Sequence, residues 1–222
     1  MEKISVLIPV FNREVFLKRA VESILNQTYK NIEVLIYVDG GTDNTLNIAM
    51  DLTNKDNRVK VYYETKNKGV GYARNQLLKR CKTRYAIWMD SDDVSYPERI
   101  EEQVLSMDGA MLVFCKWENL KTKKVGTTKG FASLLFPVNK DIIFDETMMF
   151  GGEDWRWIEE MRKTYPETLV DSVLYAIDFH GDRIGAWKRK IDKNWNGVYD
   201  LKDIKHLSYA QAIEKYKTEN NQ

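Results

Sequence analysis

Ile4-Ser-Val-Leu-Ile-Pro-Val-Phe11 is a run of β-branched, aliphatic and aromatic side chains that stops at Asn12, and its composition marks a buried strand. Runs of the same kind recur at Ile32-Glu-Val-Leu-Ile-Tyr-Val38, Arg58-Val-Lys-Val-Tyr-Tyr63 and Tyr85-Ala-Ile-Trp-Met89. Helix-period segments lie between them. Val15 to Leu25 puts Phe16, Ala20 and Ile24, and one step round Leu17, Val21 and Leu25, on an apolar face, and Thr45 to Leu52 and Tyr72 to Cys81 behave alike. Strand and helix alternating at this spacing predict right-handed βαβ units: an α/β fold with a mainly parallel sheet flanked by helices. Such sheets bind ligands at the carboxyl ends of their strands. Asn12, Asp39 and the acidic cluster Asp90 to Asp93 all fall where a predicted strand ends, so three loops converge on one edge.

After Met107 the rhythm changes. Ala110 to Trp117 reads as a strand, Asn119 to Gly130 as a Lys-rich, Gly-punctuated hairpin, and Phe131 to Phe136 as a returning strand. A helix is expected over Glu153 to Tyr165, a strand near Leu169 to Phe179 and a terminal helix over Tyr209 to Tyr216. No repeat and no Pro- or Ser-rich linker separates the halves, so residues 108–222 are expected to form a smaller α+β half built onto the sheet of residues 1–107.

Composition narrows the function. The 222 residues are 43% hydrophobic and 30% charged, enough for a real core, and 34 Lys and Arg against 33 Asp and Glu give a net charge of +1. That balance points away from nucleic acid as a partner. Cys81 and Cys115 lack CxxC spacing, which with no leader peptide in view suggests a reducing, cytoplasmic setting and argues against a Cys-based zinc site. No apolar run approaches the ~20 residues a spanning helix requires, so no transmembrane segment is expected.

Asp90-Ser91-Asp92-Asp93 packs three carboxylates behind an apolar strand. Such crowding suits Mg2+ or Mn2+, which prefer carboxylate oxygens and keep positions for phosphate and water. The competing reading is a solvated acidic turn that caps a helix beginning near Pro97. Asp39 ends a strand with no evident helix of its own to cap and is favoured as an acceptor for a base or ribose edge, whereas Asp43 reads better as an N-cap. Asn67-Lys-Gly-Val-Gly-Tyr-Ala-Arg-Asn75 lacks the third glycine of a dinucleotide fingerprint, and its Arg74 is expected to reach base or phosphate unless it is a surface Arg on an amphipathic helix. Gly151-Gly152-Glu153-Asp154-Trp155 opens a helix. Its acids either complement the helix dipole or present one carboxylate beside an apolar platform of Trp155 and Trp157 on which a sugar stacks.

Taken in order, Ser5 to Arg13, Ala20 to Tyr29, Val38 to Asp43, Asn67 to Asn75, Asp90 to Asp93 and Gly152 to Trp155 make the chain resemble the family 2 glycosyltransferases of the GT-A fold over about residues 3 to 180. The resemblance implies inverting, metal-dependent transfer of a hexosyl or N-acetylhexosaminyl group from a nucleotide-sugar, most often a UDP-sugar, to a glycan, a lipid-linked saccharide or another hydroxyl acceptor. It makes residues 1–107 the nucleotide-sugar half and 108–222 the half for acceptor and base. It implies nucleotide contacts at Pro9, Phe11, Asn12, Arg13, Asp39, Arg74, Asp90 and Asp92, and metal contacts at Asp92 and Asp93, with His180 a candidate third ligand. Asp154 is the expected general base with Glu153 the alternative, and Gly152 and Trp155 form the expected sugar platform. The sequence departs from the family pattern at Val38, where an Asp is usual, and lacks QxxRW. A nucleotidyltransferase of similar architecture would also use a strand-end acidic cluster, but its Gly-rich basic loop is missing at Pro9 to Arg13. A module that binds nucleotide-sugar without turnover is the third reading, and Asp92, Asp93 and Asp154 speak against it.

Overall fold

A computed structural model describes residues 2–107, 112–126, 129–148 and 152–180. The expected helix over Tyr209 to Tyr216 lies outside the described residues. The first half is the predicted alternation: β1 (Ile4–Val10), α1 (Leu17–Leu25), β2 (Ile32–Asp39), α2 (Thr45–Lys55), β3 (Val59–Glu64), α3 (Val70–Arg80) and β4 (Tyr85–Trp88). Then come β5 (Val94–Ser95), α4 (Arg99–Leu105), β6 (Leu112–Asn119), β7 (Leu135–Pro137), α5 (Glu153–Arg162) and β8 (Glu167–Ile177). The eight strands among the described residues share one sheet in the order β3-β2-β1-β4-β7-β6-β8-β5. The β3-β2-β1-β4 part is parallel, β7 runs antiparallel to both β4 and β6, and β6 and β8 are parallel to each other.

Side chains alternate across the pleat, and the two faces build two cores. Val6, Ile8, Val34 and Ile36 point to the face covered by Leu17, Ala20, Val21 and Ile24 of α1, by Ala49 and Leu52 of α2 and by Ile100 of α4. Leu7, Leu35 and Tyr37 point to the other face, where Ala73, Leu77 and Leu78 of α3 and Trp157, Ile158 and Met161 of α5 pack. The segment expected as a returning strand from Phe131 is different in detail. Phe131–Ser133 is a turn of 3-10 helix and only Leu135–Pro137 pairs, because Arg99 captures the carbonyl of Ala132 at 2.7 Å and Gln103 that of Ser133 at 2.8 Å. Arg99 is fully buried; its guanidinium also donates to the Trp88 carbonyl at 3.1 Å and lies 4.6 Å from the Tyr175 ring centroid. The short strand β5, which no hydrophobic run announces, forms because Val94 and Ser95 pair with Ala176 and Tyr175 of β8.

An aromatic box closes the second core. Trp88 stacks between Phe131 and Phe136 at 5.5 and 5.4 Å, and Trp157 meets Trp88 edge-on at 6.0 Å and stacks on Phe144 at 5.0 Å. The Trp157 indole N–H donates to the Ile142 carbonyl at 3.0 Å. Trp157, expected beside Trp155 on an apolar platform, is therefore core, since two helical steps of about 100° each set the pair on nearly opposite faces of α5 and carry Trp155 out to solvent. Trp157→Ala is expected to cost ~3 to 5 kcal/mol in urea unfolding, against within ~0.5 kcal/mol for Trp155→Ala, and equal losses at the two positions would contradict this placement.

Candidate active site

The loops that leave β1, β2 and β4 meet, as the parallel order requires. Asn12 takes a left-handed φ of 49° just beyond β1. Its Oδ1 accepts the Thr42 N–H at 2.9 Å, an approach that leaves no room at Gly41, where a Cβ would stand 2.6 Å from that same oxygen. Arg13 is tied to both neighbouring loops: its backbone N–H donates to Thr45 Oγ1 at 2.7 Å and its Nε to Asp92 Oδ2 at 3.3 Å. Pro9 is buried inside β1, and Phe11 and Asn12 are half-buried at its end.

Asp39 ends β2 almost fully buried, and its carboxylate accepts the backbone N–H groups of Lys68 at 3.0 Å and Gly69 at 2.8 Å. Lys68 and Gly69 lead into α3, so the Asp39 carboxylate fixes the approach to a helix that is not next in sequence. Burial raises its pKa to about 6, outweighing those donors, and the nearby Glu64 carboxylate adds to the rise. Arg74, expected at base or phosphate, instead donates to Glu153 Oε1 at 2.6 Å, with its guanidinium 4.3 Å from the Phe131 ring centroid and 5.3 Å from that of Phe144. Both partners of this pair are buried. Burial raises the Glu153 pKa, with Arg74 pulling it down and Asp154 pushing it up. Glu153 is thus held by Arg74, whereas Asp154, one residue on, is half-buried and accepts the Trp155 N–H at 2.8 Å. Gly152 caps α5 at φ 97°, a left-handed position that favours glycine.

One oxygen from each of Asp90, Asp92 and Asp93 lies within 4.8 Å of the others, the only such group of possible metal ligands among the described residues. An all-carboxylate set of this kind fits a hard divalent cation such as Mg2+ or Mn2+. The three differ in setting. Asp93 is fully buried, with Oδ2 accepting the Tyr175 hydroxyl at 2.9 Å and Oδ1 the Asp178 N–H at 3.0 Å. The same Tyr175 oxygen accepts the Asp90 N–H at 3.2 Å. Arg19 donates from one nitrogen to the Asp92 carbonyl at 2.7 Å and to Asp178 Oδ2 at 2.8 Å. Burial alone would raise the Asp178 carboxyl, but Arg19 and Lys121 together hold it below the usual range. His180 Nε2 stands 3.0 Å from Asp92 Oδ2, its ring stacked 4.3 Å from that of Phe16. Asp92 and His180, both expected at a metal, thus lie side by side.

A cavity of about 150 Å³ adjoins the acidic turn, and Arg74, Asp90, Trp117, Phe131, Asp154 and Tyr175 are among the residues lining it. It unites a carboxylate from the end of β4 with one from the start of α5. Arg19, Trp117, Tyr175 and Asp178 were not singled out by sequence reasoning. Arg19 reads as the polar face of a helix, Trp117 and Tyr175 as strand interior, and only tertiary pairing turns them toward the acidic turn. Trp155 is 51% exposed and is not among the residues lining the cavity.

Comparison with known proteins agrees with this arrangement. An uncharacterized glycosyltransferase of Haemophilus influenzae is 35% identical over 136 residues, 58% of this chain and 54% of that one, so the chain spans about half the length of this curated relative. Glycosyltransferase GlyG of Streptococcus pneumoniae is 36% identical over 115 residues, 50% of this chain and 38% of that one. Among solved structures, residues 1–349 of Staphylococcus aureus TarS in complex with UDP-GlcNAc superpose with a TM-score of 0.73 at 20% identity, covering 83% of this chain and 61% of that one. Mannosyltransferase PcManGT of Pyrobaculum calidifontis, in complex with GDP-Man and Mn2+, gives 0.67 at 15% identity, covering 92% and 68%. These likenesses establish the expected GT-A type fold, a curled α/β sheet with flanking helices. The family model for glycosyl transferase family 2 matches residues 5–149, and the chain belongs to that family.

Proposed function

We propose that this glycosyltransferase transfers a hexosyl or N-acetylhexosaminyl group from a UDP-sugar to an acceptor hydroxyl with inversion, using Mn2+ or Mg2+. The observation that carries the reading is that Asp90 and Asp154 line one cavity beside the carboxylate cluster. UDP-GlcNAc in the TarS complex and Mn2+ in the PcManGT complex support the donor and metal classes. In this reading residues 1–107 hold the donor, and residues from 108 onward supply the base and the acceptor groove. Asp39, with Pro9, Phe11, Asn12 and Arg13, borders the nucleotide. Asp90, Asp92 and Asp93 hold the metal turn, with His180 on Asp92. The two cysteines are buried and unpaired, which suits a reducing compartment, and among the described residues no helix is long and apolar enough to cross a membrane.

The divalent ion, when bound, neutralises charge developing on the departing diphosphate. The chain's own residues do the rest. Asp154 takes the proton of the acceptor hydroxyl as its oxygen bonds to the anomeric carbon, and the bond from that carbon to phosphate oxygen breaks with its electron pair leaving on UDP. Attack from the face opposite the diphosphate inverts the anomeric centre and needs no enzyme-bound sugar. Glu153 serves by a different route: it neutralises buried Arg74 and fixes the start of α5 that presents Asp154.

Metal dependence is the first test. Asp92→Asn is expected to bring UDP affinity measured by calorimetry in Mn2+ down to the level of wild type in EDTA, and equal wild-type affinity with and without EDTA would remove the metal from the mechanism.

The two neighbouring acids separate next. Asp154→Asn is expected to lower transfer by about 100-fold or more with donor affinity nearly unchanged. Glu153→Gln leaves a buried guanidinium without its counter-charge and is expected to cost ~3 kcal/mol in urea unfolding. A stable Glu153→Gln protein that has lost turnover, beside an active Asp154→Asn protein, would reverse the assignment.

Asp39 generates a pH dependence. Its folded pKa of about 6 lies above the ordinary carboxyl value, so the native state binds the proton more tightly than the unfolded chain. Ionised Asp39 therefore lowers stability above pH 6, and that loss is relieved as pH falls toward 4. Because the base contact needs the carboxylate, UDP affinity is expected to fall by up to about tenfold per unit below pH 6, while Asp39→Asn binds weakly with only the slope of UDP's own phosphate. Identical slopes in the two proteins would take Asp39 out of nucleotide recognition.

A further inference from the structure

We propose that Trp117 is the wall against which the transferred sugar of the donor stacks, and so a residue that sets donor specificity; this rests on the UDP-sugar reading above. Trp117 lies near the end of β6 and lines the cavity together with Asp90, Arg74 and Asp154. The hairpin that follows is shaped around its ring. Gly126 donates its N–H to the Trp117 carbonyl at 2.8 Å, and a Cβ at Gly126 would lie 2.1 Å from ring atoms Cε2 and Cζ2. At Gly130 a Cβ would lie 3.3 Å from Cδ1. Phe179 backs the indole with a ring centroid 6.1 Å away, tilted by 42°. Both glycines in the described part of this hairpin thus make room for one indole.

The cavity pairs apolar walls with a few placed polar groups, the pattern of small-molecule sites. Trp117 and Phe131 supply aromatic surface, whereas Asp90, Arg74 and Asp154 supply charge. Arg74 is 6% exposed and its Nε has no hydrogen-bond partner, a buried donor left over after the Glu153 bond. A pyranose answers both demands, since its ring C–H face is apolar and its hydroxyls accept and donate around the rim. Asp90 belongs to the metal turn and Asp154 is the base, so a ring lying on Trp117 is beside both the diphosphate it leaves and the carboxylate that activates its acceptor.

Calorimetry of the full chain in Mn2+ with UDP, UDP-GlcNAc, UDP-glucose and UDP-galactose tests the assignment. For the UDP-sugar that wild type prefers, Trp117→Ala is expected to lose about tenfold in affinity while UDP itself binds within about twofold of wild type. Trp117→Phe, which keeps an aromatic face, is expected to recover most of that loss. Equal losses for UDP and the UDP-sugar in Trp117→Ala would show a structural role and overturn the proposal. Unchanged UDP-sugar affinity would overturn it while leaving the donor reading intact. If wild type binds neither UDP nor any of the three UDP-sugars, the donor reading itself fails and this assignment falls with it.

Discussion

Three carboxylates whose oxygens come within 4.8 Å repel one another, and the active-site edge depends on how that repulsion is contained. The second half of the chain contains it. Strand β8 threads back beside β5, and in doing so places the Tyr175 hydroxyl and the Asp178 N–H on the two oxygens of Asp93. Arg19 reaches from α1 to hold the Asp92 carbonyl and the Asp178 carboxylate with one nitrogen. The turn is thereby gripped from both sides, by helix α1 and by strand β8 with the residue that follows it. Each Asp93 oxygen accepts one hydrogen bond in the brace, while Asp92 faces Arg13 and His180. The oxygen cluster is thus preformed, with little backbone left to order.

A second buried charge pair performs a comparable service for the start of α5. Arg74 on α3 and Glu153 on α5 come from opposite halves of the chain and meet at 2.6 Å among Trp88, Phe131 and Phe144. Such a pair is a weak source of stability, because desolvation opposes the attraction. Its geometric effect is stronger. Removing either partner strands a charge in an aromatic box, so the register between α3 and α5 is fixed, and with it the position of Asp154 relative to the sheet edge.

The alternation of strands and helices was legible because each element carries its own period. Val6 and Ile8 against Leu7, or Leu17, Val21 and Ile24 along α1, declare the buried face within a few residues. The convergence of Asn12, Asp39 and Asp90 to Asp93 was legible for a related reason, since parallel strands place their carboxyl ends together whatever the loops contain. Short elements escaped. Val94 and Ser95 carry no pattern and become a strand only because β8 offers them partners, and Phe131–Ser133 turns into 3-10 helix because Arg99 and Gln103 hold its carbonyls.

Residue roles divide along the same line. The sequence by itself determined which chemistry is present: a carboxylate cluster behind β4, an acid pair opening α5, a glycine at Gly152 able to take a left-handed turn, and two helical faces that close the sheet. Only the tertiary structure decided which member of each group faces the cavity. Asp39 holds the loop that leads into α3, Arg74 turns to Glu153, Trp157 enters the core while Trp155 leaves it, and Trp117 comes to the cavity wall. Each of these outcomes rests on a contact between residues far apart in sequence, and local periodicity carries no information about such partners. A side chain's type is written in the chain, whereas its desolvation and its counter-charge are set by what folds against it.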